Sequence, residues 1–211
     1  QLTTWHEELG LTPHYFFLLA NNRSKYDPNA SPAYRALRAL IRQLDKLPGH
    51  RVGIHPSYQS MKNEQLITKE VQTFKSIIEQ GPFSSRQHYL RLSLPETYRA
   101  LIRAGLRSDY SMGYADMPGW RAGTHLPFPW YDLEKEKSTH LQIHPFAFMD
   151  VTLKNNQHLS ASDALQKMMF YRNQVDSLGG PLYSLWHNSS FSEAHGWSGY
   201  GEIYERYLRG I

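Results

Sequence analysis

A ring nitrogen, two hydroxyls and an amide crowd the stretch RVGIHPSYQS, Arg51 to Ser60, as His55, Ser57, Tyr58 and Gln59. They follow the apolar run Val52 to Ile54, which reads as a short buried strand stopped at His55 and Pro56. In a barrel of strands and helices, residues just past a strand's carboxyl end line the active face. Other runs end the same way. Arg121 and His125 follow Trp120, Asp150 closes the run from Phe146 to Met149, and His187 and Asn188 close the run from Leu182 to Trp186. Imidazoles, a carboxylate and a guanidinium are what hydrolysis of an acyl group requires. Imidazole suits Zn²⁺ and similar ions, which polarise a carbonyl and bring the pKa of bound water to about 7. A histidine held by an aspartate can protonate a leaving group. Asp150 and His187 are candidates for such a pair; the other reading of the same residues is a structural hydrogen bond at a strand end.

Arg121 lies in GWRAGTHLPF, where Gly119 and Gly123 let the backbone turn tightly around one guanidinium. So placed, it would bind a carboxylate or orient a catalytic acid. Before it, DYSMGYADMPGW gathers Asp109, Tyr110, Ser111, Tyr114 and Asp116 in a polar loop, whose acids carry no specific calcium or glycosidase spacing. Ser85-Arg86-Gln87-His88 precedes an apolar run, so His88 is read as entering a strand, a structural position that can still face a barrel axis. Aromatic side chains in loops suit a ligand with apolar faces and hydroxyls, such as a sugar, although they also serve plain packing. Tyr58, Tyr110, Tyr114, Trp120 and Trp130 are the candidate platforms.

The elements that must position these groups alternate. Leu2 to Leu9 reads as a helix tail, Tyr15 to Ala20 as a strand, Asn21 to Pro32 as a polar loop and Ala33 to Leu47 as an amphipathic helix with Leu37, Leu40, Ile41 and Leu44 on its apolar stripe. After the Val52 strand come a helix from Asn63 to Gln80, a strand at Tyr89 to Leu92 and a helix from Pro95 to Leu106. Asp109 to Glu134 is mostly irregular, and a long irregular segment in a compact domain is more often functional than idle. Leu141 to Ile143 and Pro145 to Asp150 read as strands, Ala161 to Leu178 as a helix, Leu182 to His187 as a strand and Trp197 to Arg209 as a last helix. This alternation implies an α/β fold of parallel strands joined by crossover helices.

The 211 residues suit one large domain with no linker and no internal repeat. With no cysteine, disulfides, thiolate zinc sites and cysteine nucleophiles are excluded. The formal net charge of +4 is spread among acids, with no basic run carrying interleaved aromatics, so nucleic acid is not the expected partner. No apolar run reaches the length of a membrane span. The chain begins at Gln1, not Met, and is expected to be a piece of a longer polypeptide.

The order of the His55 motif, the Arg121 motif, Asp150 and Leu185-Trp186-His187 is similar to that of the polysaccharide deacetylases, the NodB-homology or carbohydrate esterase family four proteins. HPSYQS, SRQHYLRL, DYSMGYAD, GWRAGT, PFAFMD and LWHN together resemble a divergent bacterial branch of that family, over nearly the whole chain. The resemblance implies a distorted (β/α)7-type barrel that removes acetyl groups from sugars with a divalent metal, zinc foremost. It puts one metal-binding histidine at His55 and its partner near Gln59 or Ser60, where no histidine stands, so His88 or an upstream aspartate would have to complete the set. It puts the arginine motif at Arg121, the later aspartate at Asp150 and the general acid at His187. The family's paired aspartates sit on the first barrel strand, which is expected to precede Gln1.

Two functions follow as expectations. The first is a metal-dependent, deacetylase-type hydrolase acting on acetylated amino sugars or surface polysaccharide, with His55 and His88 as ligands, His187 as acid, and Asp150 and Arg121 as orienting groups. The second is a degenerate deacetylase barrel that binds glycan without turning it over, through its aromatic loops. Both expect the strand-end groups to converge at one mouth of the barrel.

Overall fold

The computed structural model describes residues 2–21, 24–78, 81–193 and 196–211. Gln80, the expected end of the second helix, lies outside the described residues. In chain order the elements are α1 (Leu2–Glu8), β1 (His14–Phe17), α2 (Arg35–Lys46), β2 (Arg51–Ile54), α3 (Glu64–Lys75), β3 (Ser84–Ser85), α4 (Glu96–Arg103), β4 (Ser108–Asp109), β5 (Phe128–Asp132), β6 (Lys137–Ile143), β7 (Phe148–Met149), α5 (Ala161–Leu178), β8 (Ser184–Leu185) and α6 (Tyr200–Arg209). They fall into two units.

The larger unit, Gly10–Ser111 with Phe128–Ile143, is built on a six-stranded sheet of order β1-β2-β3-β4-β6-β5. Every neighbouring pair is parallel except β5 and β6, which form an antiparallel hairpin. β2 is in register with β1 from His14↔Arg51 to Phe17↔Ile54, and its partner on the other side is a single ladder pair, Ile54↔Ser85. The ladder runs one residue past each strand, because the His55 N–H donates to the Phe17 carbonyl at 2.9 Å and the Arg86 N–H to the Ile54 carbonyl at 3.0 Å. α2 buries Ile41 and Leu44, while Leu40 is 46% exposed, so its apolar stripe is narrower than its sequence suggests. α3 buries Ile67, Val71 and Phe74 and starts on Asn63, whose side chain accepts the Leu66 N–H at 3.0 Å.

The smaller unit, Gln1–Leu9 with Met112–Pro127 and His144–Ile211, holds the parallel pair β7 and β8, in register at Phe148↔Ser184 and Met149↔Leu185. Its core joins Phe148, Leu153, Leu165, Met168, Trp197, Tyr200, Ile203, Tyr204 and Tyr207, with Trp120 and Trp186 packed against it partly buried. Directly after Asp150 the chain coils into a turn of π-helix, Thr152–Asn156, pinned by the Thr152 hydroxyl donating to the Ala115 carbonyl at 2.7 Å.

The fold is thus mixed α/β with predominantly parallel strands, as expected. A closed barrel is not formed by the described residues, whose ladders make one open six-stranded sheet and one two-stranded sheet. Two further expectations change. Tyr89 to Leu92 is not a strand: Tyr89 and Leu90 have φ of 55° and 52°, in the left-handed region, and lie in a 3-10 turn, His88–Leu90. The strand is instead Ser84–Ser85, so His88 leaves a strand and does not enter one. The Gly- and Pro-rich segment from Asp109 to Glu134, expected to be mostly irregular, opens on the last residue of β4 and contains β5.

Gly53 shows how tightly β2 is held. A Cβ there would lie 2.6 Å from Ser84 Oγ and 2.7 Å from Phe16 Cε1. Gly53→Ala should lower the stability by about 1–3 kcal/mol through overpacking, read as an earlier urea midpoint; a midpoint equal to the parent's would show that β1 and β3 do not confine β2.

Candidate functional site

In the smaller unit, two strand ends supply one polar cluster. Because β7 and β8 are parallel and paired at Met149↔Leu185, the next residues leave the ladder on the same side, and Asp150 meets His187. Asp150 is 0% exposed, so its carboxylate oxygens must find donors within the protein. They find four. Oδ1 accepts from the Val151 N–H at 2.7 Å and from His187 Nδ1 at 2.7 Å; Oδ2 accepts the His187 N–H at 2.6 Å and the hydroxyl of Ser190. Ser190 is buried and comes from the 3-10 turn Asn188–Phe191 that follows His187. The His187 side chain is 42% exposed, so a ring fixed at Nδ1 faces solvent with Nε2 left for a ligand. This is the geometry of an imidazole that exchanges a proton.

Arg121 is exposed and makes no hydrogen bond or ion pair with a described residue. The groups that orient Asp150 are Ser190 and two backbone N–H groups, so the expected orienting part of Arg121 is filled otherwise. Trp120 packs edge-on against Tyr171 at 5.2 Å and lies 5.7 Å from His125, whose Nε2 donates to the Gly179 carbonyl at 2.8 Å. Tyr114 is exposed.

In the larger unit, the turns after β1, β2 and β3 supply another cluster. His55 Nδ1 donates to the Arg86 carbonyl. The ring of His88 lies 4.8 Å from that of His55, and its Nδ1 donates to Asp27 Oδ1 at 2.8 Å. Asp27 is only 2% exposed and also accepts the Tyr58 N–H at 2.9 Å, while the adjacent Ser57 N–H goes to Glu70 Oε2 at 3.0 Å. Two buried carboxyls therefore grip consecutive amides of the turn that carries His55. Sequence reasoning brought His55 and His88 together and missed Asp27; the available signal was a lone acid in the polar loop after the first strand.

The aromatic expectations divide. Tyr110 is 5% exposed against His14 and Phe16, and Trp130 is 9% exposed against Tyr98, so both are core residues and not platforms. Tyr58 stacks on Tyr26 at 4.1 Å with an interplanar angle of 12°, and the Arg91 guanidinium lies 3.8 Å from its centroid. A guanidinium does not fit between rings so close, so Arg91 takes the opposite face and both faces of Tyr58 are covered. Tyr89, set edge-on to both tyrosines and 58% exposed, is the open ring of that group.

A divalent metal would need both imidazoles and a further donor. Nδ1 of each ring is engaged with an oxygen acceptor, the Arg86 carbonyl for His55 and Asp27 for His88. Asp27, however, is committed to His88 and the Tyr58 amide. Ser60, near where the second ligand was expected, is buried with its hydroxyl on the Ser57 carbonyl at 2.7 Å, and Gln59 is exposed. Among the described residues, no group of three or more His, Cys, Asp or Glu is placed to hold a metal ion. The residues present do not fit a complete metal centre.

No protein-family model matches the sequence, and no curated protein matches it. Solved structures do. A Mycobacterium smegmatis protein designated a polysaccharide deacetylase aligns over 99% of this chain and 68% of its own, with a TM-score of 0.64 and 13% identity. A Bordetella bronchiseptica protein, designated a polysaccharide deacetylase involved in O-antigen biosynthesis, aligns over 98% of this chain and 72% of its own, with a TM-score of 0.52 and 14% identity. This chain has a polysaccharide deacetylase-like fold. Within it, the motifs PFAFMD and LWHN supply the Asp150–His187 pair, and HPSYQS and SRQH supply the His55–His88 pair.

A further buried acid tests how the sheet of the larger unit is held. Asp109 is 0% exposed, accepts the Ser85 hydroxyl at 2.8 Å, and takes the Ser111 N–H and hydroxyl, each at 2.9 Å. Burial still raises its pKa above the ordinary 3.8, as it raises that of Glu70 above 4.5. Between 3.8 and the raised value the folded chain holds a proton that the unfolded chain has lost, so stability must fall as pH rises through that window. Asp109→Asn should flatten that fall, seen as a smaller difference in urea midpoint between pH 4 and pH 7 than in the parent; an unchanged difference would show that Asp109 enters the folded state ionised.

Proposed function

We propose that this chain is the fold of a carbohydrate-directed hydrolase of the deacetylase type, in which His187 is the acid–base residue and Asp150 its positioning residue. The observation that carries the reading is the pairing of a fully buried, fourfold hydrogen-bonded carboxylate with a half-exposed imidazole at adjacent ends of parallel strands. The deacetylase-like fold supports it. The reading brings with it the family's distorted (β/α)7 arrangement, an acetylated amino sugar or surface polysaccharide as substrate, and Arg121, Tyr114 and Trp120 as contacts to that substrate.

In this reaction the oxygen of water bonds to the acyl carbon as the acyl carbon–nitrogen or carbon–oxygen bond breaks, acetate leaves with that oxygen, and the departing sugar atom takes up a proton. His187 holds that proton at Nε2 and delivers it, while Asp150 accepts from Nδ1 and keeps the ring in one orientation. Without the carboxylate the ring would be free to rotate and to change tautomer. A divalent metal, zinc by resemblance, would polarise the acyl oxygen and activate water in this family, and His55 and His88 are the nitrogens this chain offers toward it. Because that set lacks a further donor, no step is assigned to a metal here.

A second reading is favoured by that same shortfall: a degenerate deacetylase that binds glycan without turning it over. The two separate on one experiment. Acetate release from acetylated chito-oligosaccharides should fall about 10²- to 10⁴-fold in His187→Ala. No acetate from the parent protein, together with glycan binding that survives both chelator and His187→Ala, would establish the second reading and end the first. Ser190→Ala deletes a donor to a buried carboxylate and should cost about 1–3 kcal/mol, visible as a lower urea midpoint; no change would mean that Ser190 does not help to hold Asp150.

A further inference from the structure

Tyr89 has no part in the chemistry assigned to His187. It is 58% exposed, and its backbone is left-handed, with φ of 55°. A bulky residue is disfavoured in that conformation, which Gly or Asn adopts far more readily. Strain of this kind persists only where the surrounding structure holds it, and it gathers at ligand-binding positions. A ring left mostly in water recovers little of that cost by packing, so its open surface asks for another use.

What holds the ring is an independent observation. Tyr26, Tyr58 and Tyr89 come from the separate turns after β1, β2 and β3, and one buried carboxylate ties all three turns together. Asp27, next to Tyr26, accepts the Tyr58 N–H at 2.9 Å and a hydrogen bond from Nδ1 of His88, the residue before Tyr89, at 2.8 Å. Tyr26 and Tyr58, stacked on each other, both stand at 90° to Tyr89, at 6.0 and 5.4 Å. The ring of His88 lies 4.7 Å from Tyr89, and that of His55 lies 4.8 Å from His88. Tyr89 is thus oriented by three neighbouring rings, reachable from solvent, and joined through direct ring contacts to the His55–His88 pair.

We propose that Tyr89 is a platform on which a pyranose ring of the glycan lies. The π face of a tyrosine is negative. A pyranose carries C–H groups, slightly positive, on its faces and hydroxyls around its rim, so it covers such a ring while its hydroxyls stay in water. A platform already fixed by its neighbours loses little freedom when it is covered. This deepens the proposed function and rests on it for the class of ligand.

Calorimetric titration of the full chain with triacetylchitotriose tests it. Tyr89→Asn removes the ring and suits the left-handed turn; it should bind about tenfold more weakly, with a urea midpoint no lower than the parent's. Tyr89→Phe should keep the affinity. Tyr89→Leu, still apolar but without a π face, should lose it. Tyr34→Ala, which deletes a tyrosine 61% exposed just before α2, should leave it unchanged. Should Tyr89→Asn also unfold more easily, Tyr89→Leu decides, because it keeps an apolar side chain in the turn. Parental affinity in Tyr89→Asn or Tyr89→Leu, an equal loss in Tyr34→Ala, or no binding by the parent overturns the inference. Acetate release from chito-oligosaccharide alongside any of these would leave the proposed function intact, whereas no binding and no acetate release would remove both.

Discussion

The structure is organised by carboxyl groups buried where water would otherwise serve the backbone. A carboxyl removed from water is costly unless donors surround it, and the donors nearest to hand at a strand end are the N–H groups of the turn that follows. Asp27 takes the amide of Tyr58, Glu70 that of Ser57, Asp109 that of Ser111, and Asp150 those of Val151 and His187. Each acid thereby fixes the path of the chain just where a strand stops. The same arrangement serves an imidazole in two cases, His88 on Asp27 and His187 on Asp150, at 2.8 and 2.7 Å.

What separates the two imidazoles is what surrounds them. His187 stands 42% exposed on a carboxylate that already takes four donors. His88 faces His55 and sits beside a stack of Tyr26, Tyr58 and Arg91 whose faces are already spent on one another. The first environment is open to a ligand at the ring nitrogen. The second is a packed arrangement with two nitrogens of metal-binding type and too few further donors to enclose an ion.

Much of this was legible in the sequence, for reasons that can be traced. Val52 to Ile54 announced a strand because its apolar run ends at His55-Pro56, and the same logic placed Asp150 and His187 at strand ends, where parallel pairing brings them together. His88 was misplaced because Tyr89-Leu90 looks like the start of an apolar strand, while its left-handed backbone makes a turn. Asp27 was missed because a single acid in a polar loop has no periodicity to mark it. Tyr110 and Trp130 turn inward, and a Gly- and Pro-rich segment carries no pattern that marks which of its aromatics do so. The same composition hid β5, while the end of its hairpin partner β6 was legible at Leu141 to Ile143.

The sheet that carries the dyad is held by only two registered pairs, Phe148↔Ser184 and Met149↔Leu185. Sliding one strand by a single position would turn its side chains to the opposite face, and Asp150 could then reach neither the ring nor the amide of His187. So short a ladder can scarcely choose its own alignment; the aspartate, clasping both at once, chooses for it. Correct pairing and a carboxylate-held imidazole therefore come together, and a chain that has misaligned this sheet leaves the ring of His187 unheld.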